Sequence, residues 1–204
     1  MYNYQLYLVT DENQDLEQLE FVIREAVAGG VTMVQLREKH GDVREFIKRA
    51  QVLKSLLSGT GVPLIINDRV DVALAVDADG VHLGQSDMPA ELARRLIGDD
   101  KILGLSVENE LQLEAAQSLP VDYLGLSAIF PTPTKTDTVH AWGIDGLAKA
   151  VVTSQLPLVA IGGINEGNIK AIADTGAAGI ALVSAICHAE SPKAASESLL
   201  ALMR

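Results

Sequence analysis

Residues 15–57 read DLEQLEFVIREAVAGGVTMVQLREKHGDVREFIKRAQVLKSLL. This stretch predicts a helix, a short strand and a second helix. Over residues 15–28, Leu16, Leu19, Phe21, Val22, Ile23 and Val27 fall broadly on one helical face. Gly29-Gly30 follows, where a left-handed helix cap forms at low cost. Residues 32–37 form a short apolar run. Helical spacing then returns in Val43, Phe46, Ile47, Ala50, Leu53, Leu56 and Leu57 before Gly59 and Gly61. A strand between two amphipathic helices is the unit of a parallel sheet with right-handed crossovers.

The unit recurs along the whole chain. Strand-like runs fall at residues 6–10, 32–37, 63–67, 80–84, 102–107, 123–128, 157–161 and 179–184. Helical segments separate them and an eighth closes the chain. One helix is expected over residues 165–174, and Ser191-Pro192 opens the last one with proline in its first turn. Eight repeats predict a closed (βα)₈ barrel, the TIM-barrel architecture, as one α/β domain spanning residues 1–204. A doubly wound open sheet is the competing arrangement, but no G-x-G-x-x-G turn follows the first strand. Residues 130–142 carry neither period and are read as a polar loop of a length that tends to be functional.

Composition narrows the class of function. The net charge is −11 among 204 residues and the isoelectric point is about 4.7, which argues against nucleic acid and anionic membranes as partners. Small anionic ligands stay open, because a few local cations hold a phosphate. Cys187 is the single cysteine, so neither an internal disulfide nor a thiolate cluster forms. No basic, then apolar, leader is recognised and no apolar run approaches a membrane span. The expectation is a soluble cytoplasmic protein; nothing in the sequence bears on its oligomeric state.

In a barrel of this kind chemistry gathers at the carboxyl ends of the strands. The second strand ends in Gln35-Leu36-Arg37-Glu38-Lys39. Alternation puts Gln35, Arg37 and Lys39 on one side, where two cations and an amide suit a diphosphate, and Leu36 and Glu38 on the other. The third and fourth strands end in Asn67-Asp68-Arg69 and Gly84-Gln85-Ser86-Asp87. On adjacent strands, Asp68 and Asp87 form a reasonable magnesium anchor; each also precedes a helical run that it could cap, and the pairing beside the cationic second strand favours the metal. Ser106 lies near the fifth strand end. Phe130-Pro131-Thr132-Pro133-Thr134-Lys135 sets two hydroxyls and an ammonium in a stiffened loop. Gly162-Gly163-Ile164-Asn165 and Val183-Ser184 end the last two strands, where such barrels often bind phosphate. His82 is read as a hydrogen-bonded structural residue and Cys187 as packing. His40, His140 and His188 have no metal-ligand spacing.

Taken in order, Gln35 to Lys39, Asn67-Asp68-Arg69, Gly84-Gln85-x-Asp87, Thr132-Pro133-Thr134-Lys135, Gly162-Gly163-Ile164 and Val183-Ser184 resemble the thiamine phosphate synthase family. The resemblance implies condensation of a hydroxymethylpyrimidine diphosphate with a thiazole phosphate, plain or carboxylated, with release of diphosphate. It implies that Gln35, Leu36, Arg37, Glu38, Lys39, Asn67, Ser106 and Lys135 hold the pyrimidine diphosphate. Arg37, Lys39, Ser106 and Lys135 would be the catalytic set. Thr132, Pro133, Thr134, Gly163, Val183 and Ser184 would hold the thiazole phosphate, and Asp68 and Asp87 one Mg²⁺ per subunit. Residues 136–143 depart from the proline-containing stretch of many relatives. Other phosphate-binding barrels remain as alternatives: a thiazole tautomerase, which needs only the monophosphate half, and a sugar-phosphate isomerase or epimerase, for which no acid–base pair stands out. A non-catalytic metabolite binder would have little use for paired carboxylates.

Overall fold

The computed structural model describes residues 2–131 and 141–204. In chain order the elements are β1 (Leu6–Val9), α1 (Leu16–Ala28), β2 (Met33–Leu36), α2 (Val43–Leu57), β3 (Leu64–Asn67), α3 (Val70–Ala75), β4 (Gly80–Leu83) and α4 (Ala90–Ile97). They continue as β5 (Ile102–Val107), α5 (Glu110–Ala116), β6 (Tyr123–Ser127), α6 (Gly143–Thr153), β7 (Leu158–Ile161), α7 (Ile169–Ala173), β8 (Gly179–Leu182), α8 (Ser184–Cys187) and α9 (Pro192–Leu202). The strands pair in parallel and in sequence order, and β8 returns to β1, with Leu6 opposite Ile180 and Leu8 opposite Leu182. This is the closed (βα)₈ barrel that the repeating pattern predicts. No helix among the described residues is long and apolar enough to cross a membrane.

Strand periodicity sorts side chains into two layers. Leu6 and Leu8 of β1, Val34 and Leu36 of β2, and Leu64 and Ile66 of β3 face outward into the core beneath the helices. Tyr7, Val9, Met33, Ile65, Tyr123 and Val159 face inward and form the barrel floor. The outer layer takes Leu19, Ile23, Leu53 and Ile172 from the helices. Each such fully buried side chain contributes roughly 1.5–3 kcal/mol. Because that layer supplies most of the apolar burial, the inner face at the strand ends can remain polar. Gln35, Asn67, His82 and Ser127 sit there, all buried.

Local chemistry sets the helix ends. Asp15, Asp42, Asn109 and Ser191 each cap a helix start by accepting a backbone N–H. Gly30, at φ 99, takes the left-handed conformation after α1. The helix expected over 165–174 is shorter. Asn165 Oδ1 accepts from the Gly167 N–H and Asn168 Oδ1 from the Asn165 N–H, so side chains hold a turn there and α7 starts only at Ile169. The last strand likewise ends at Leu182, and Ser184 opens the additional short helix α8 rather than ending the strand.

Candidate active site at the carboxyl ends of the strands

A cavity of about 650 Å³ opens at the carboxyl ends of the strands. Gln35, Arg37, Lys39, Asn67, Asp68, Asp87, Ser106, Gly163, Val183 and Ser184 all line it. These positions span β2 to β8, and barrel closure brings both predicted halves into one volume. Leu36 and Glu38 do not share that orientation. Leu36 is fully buried in the outer layer, and the Glu38 carboxylate lies 3.0 Å from Arg49 Nε on α2. Their side chains therefore face away from the cavity, and only backbone atoms at these positions could serve a ligand there. Thr132, Pro133, Thr134 and Lys135, together with His140, lie outside the described residues.

The cationic segment after β2 is held from three directions. The Arg37 N–H donates to Thr10 Oγ1 at 3.0 Å. Glu12 Oε2 accepts from the Lys39 N–H at 2.8 Å and from the His40 N–H at 3.0 Å. Burial alone would raise the Glu12 carboxyl, but these backbone donors outweigh it and hold the group below its ordinary value. Beneath the segment, Arg49 pairs with Glu38, and Arg49 Nη1 donates to the Gln14 carbonyl at 3.0 Å. Burial pushes the Glu38 carboxyl up, with Arg49 opposing. Thr10 and Glu12 escape a reading of local sequence because α1 lies between them and the segment they hold, and Arg49 because it reads as one more residue of an amphipathic helix.

Asp68 and Asp87 come together as predicted. Neither caps a helix: Arg69 and Pro89 occupy the caps of α3 and α4, without side-chain cap bonds. Asp68 has φ 63, which turns the chain sharply at the end of β3. Asp87 Oδ2 accepts the Gly84 N–H at 2.7 Å. Burial and the adjoining Asp68 carboxyl together hold Asp87 above its ordinary value. Lys39 Nζ lies 2.5 Å from Asp68 Oδ2. Two crowded carboxylates beside one ammonium form a site that a hard cation would relieve. Nearby, the buried amide nitrogen of Asn67, a cavity-lining residue, has no hydrogen-bond partner among the described residues.

On the opposite side, Gly163 has φ 68, and a Cβ there would press on Phe130 and Pro131. Glycine lets the loop after β7 lie against the loop after β6, and it is the residue type that both the turn and the close approach require. His82 is hydrogen-bonded, as expected, and among its partners are two cavity-lining residues: Tyr123 Oη and Ser106 Oγ, each at 2.8 Å. Tyr7 and Tyr123 are cavity residues that sequence reading missed. The available signal was a tyrosine at an inward position between Leu6 and Leu8, where an aliphatic residue would serve packing alone.

Comparison with known proteins places this geometry. The family model described as thiamine monophosphate synthase matches residues 6–186. The chain belongs to the thiamine monophosphate synthase family. It is 72% identical over 200 residues to a thiamine-phosphate synthase of Vibrio parahaemolyticus, covering 98% of both chains. It is 48% identical over 195 residues to a thiamine-phosphate synthase of Methanobrevibacter smithii, covering 96% of this chain and 93% of that one. The solved structure of a thiamine phosphate pyrophosphorylase from Pyrococcus furiosus superposes with a TM-score of 0.88 at 39% identity, covering 98% and 96%. A 3-hexulose-6-phosphate synthase, at 18% identity and a TM-score of 0.71, shares the barrel alone. Within this family the isomerase alternative is not favoured.

Proposed function

We propose that the chain is a magnesium-dependent thiamine-phosphate synthase. It joins 4-amino-2-methyl-5-(diphosphooxymethyl)pyrimidine to 4-methyl-5-(2-phosphooxyethyl)thiazole, or its carboxylated form, and releases diphosphate. The reading is supported above all by one observation: Arg37, Lys39 and the Asp68–Asp87 pair share a cavity wall with Asn67, whose amide nitrogen has no partner among the described residues. In this reading Arg37 and Lys39 bind the diphosphate, and Gln35, Asn67 and Ser106 contact the pyrimidine half. Gly163, Val183 and Ser184 take the thiazole phosphate, with Thr132, Pro133, Thr134 and Lys135 completing both halves.

The chemistry needs no protein nucleophile. The C–O bond to diphosphate breaks heterolytically, and the ring amino group supports the resulting pyrimidinylmethyl cation. The thiazole nitrogen then supplies its electron pair to the new C–N bond, and the carboxylated form also loses CO₂. Asp68 and Asp87 would hold Mg²⁺. When bound, the ion would offset negative charge on the leaving diphosphate. Arg37 and Lys39 do the same work through fixed cations, strongest where water is excluded. The barrel wall keeps the two substrates facing each other.

The test is to incubate the chain with both substrates and Mg²⁺ and measure thiamine phosphate and diphosphate. Equal yields of the two are expected, abolished by chelation and restored by Mg²⁺. No product with either thiazole form would refute the reading. Product formation indifferent to chelator would refute the metal alone.

A further inference from the structure

A continuous chain of hydrogen bonds crosses the barrel under the cavity. Gln35 Nε2 on β2 donates to Tyr7 Oη on β1 at 2.8 Å. The Tyr7 and Tyr123 hydroxyls lie 2.9 Å apart. Tyr123 Oη lies 2.8 Å from His82 Nδ1, and His82 Nε2 lies 2.8 Å from Ser106 Oγ on β5. Tyr7 and Tyr123 are 1% and 0% exposed, so bulk water does not compete for their hydroxyls. Burial pushes both phenols above their ordinary range, and they stay protonated.

The direction of every proton in the chain follows from one end. An amide NH₂ can only donate. The Tyr7 oxygen accepts from Gln35, and the Tyr7 hydrogen goes to Tyr123, the one direction that leaves neither phenol hydrogen without an acceptor among the described residues. The Tyr123 hydrogen in turn goes to His82 Nδ1. An imidazole that accepts at Nδ1 carries its hydrogen on Nε2, and that hydrogen goes to Ser106 Oγ. Two residues keep capacity for a ligand. Gln35 keeps its carbonyl oxygen and the second hydrogen of its NH₂, and Ser106 keeps its own hydroxyl hydrogen. Both residues line the cavity.

We propose that Tyr7, Tyr123 and His82 are positioning residues that lock this polarity, keeping Gln35 an acceptor and Ser106 a donor, and thereby select an amino-substituted azine ring over its oxo counterpart. The inference rests on the pyrimidine diphosphate reading of the site. An aminopyrimidine edge carries a donor, the amino group, beside an acceptor, the ring nitrogen. An oxo ring carries an acceptor beside an N–H donor, the reverse pattern. Accepting it would require the Gln35 amide to turn over and every hydrogen in the chain to move with it. A site built for one hydrogen-bond pattern rejects a ligand lacking it by roughly 10⁴–10⁵ in favourable cases.

Two measurements test this. The first is ¹H–¹⁵N correlation NMR of His82 in the full-length, ligand-free chain. Expected is a pyridine-type Nδ1 and a protonated Nε2; an Nδ1–H tautomer or an imidazolium would overturn the polarity. The second compares kcat/KM for amino and oxo pyrimidine diphosphates in wild type, Tyr7→Phe and Tyr123→Phe. Each variant should lose at least ~10-fold of the discrimination. KM should rise for the pyrimidine substrate and stay unchanged for the thiazole phosphate, and the His82 signals should report mixed tautomers. Unchanged discrimination in both folded variants would overturn the inference. If wild type makes no product from either ring, the synthase reading fails, and the NMR result still decides the polarity.

Discussion

Replacing Arg49 with methionine removes the cation under the segment that presents Arg37 and Lys39. The Arg49 and Glu38 side chains are 8% and 10% exposed, with Nε 3.0 Å from Oε1. The guanidinium N–H is not aimed at that oxygen, so the pair is an ion contact rather than an aligned fork. Without Arg49 the Glu38 carboxylate would be buried near the Glu12 and Glu45 charges, which also push it up, and it would take up a proton. Neutralising a carboxyl of ordinary value near 4.3 at pH 7 costs ~3.7 kcal/mol at 1.36 kcal/mol per unit. That agrees with the ~3–5 kcal/mol typical for breaking a buried pair. In a domain of this size the melting temperature should fall by roughly 7–15 °C. The sign with pH follows from the raised folded-state value. Below about pH 4 Glu38 is protonated both folded and unfolded, so only the lost packing is felt. As pH rises towards the folded value, stability falls by ~1.36 kcal/mol per unit. Urea unfolding of Arg49→Met and of Arg49→Met/Glu38→Gln across pH 4–8 reads this directly. The double variant should regain most of the loss at pH 7 and lose the pH dependence. A pH-independent deficit, or a double variant no more stable than the single one, would refute the reasoning.

The remaining predictions concern the cavity and the core. Asp68→Asn and Asp87→Asn should each lower turnover at least ~100-fold, since a bound metal supplies several kcal/mol to charge stabilisation. Their circular dichroism should be unchanged; wild-type turnover with an unaltered Mg²⁺ titration would sink the metal assignment. In Gly104→Ala the new methyl would run into the Tyr123 ring and His82 Nδ1, costing ~1–3 kcal/mol by overpacking, measured by denaturant midpoint and checked against the His82 NMR signals. Burial pushes the Cys187 thiol up to about 12. Iodoacetamide should therefore leave the native chain unlabelled at pH 7 and modify it only as it unfolds; rapid labelling of the folded chain would contradict its packing role.

The sequence by itself determined the barrel and the sidedness of the site. Both rest on local periods: Leu36 and Glu38 alternate against Gln35, Arg37 and Lys39 whatever lies across the sheet, and eight strand–helix repeats leave few ways to close. It also named Asp68 and Asp87, because carboxylates at strand ends stand out against apolar strands. What it left open was whether they cap helices or face each other, and that was decided by the pairing of β3 with β4 together with the left-handed turn at Asp68 and the bond from the Gly84 N–H to Asp87. The tertiary structure alone connected Tyr7 to Tyr123 and Glu38 to Arg49. Hydrogen-bond and charge partners are set by distance in space, and in a closed barrel residues 116 positions apart share one floor. A side chain's type and spacing can show that it faces inward; its partner, and hence its proton and its charge, belong to the packed barrel.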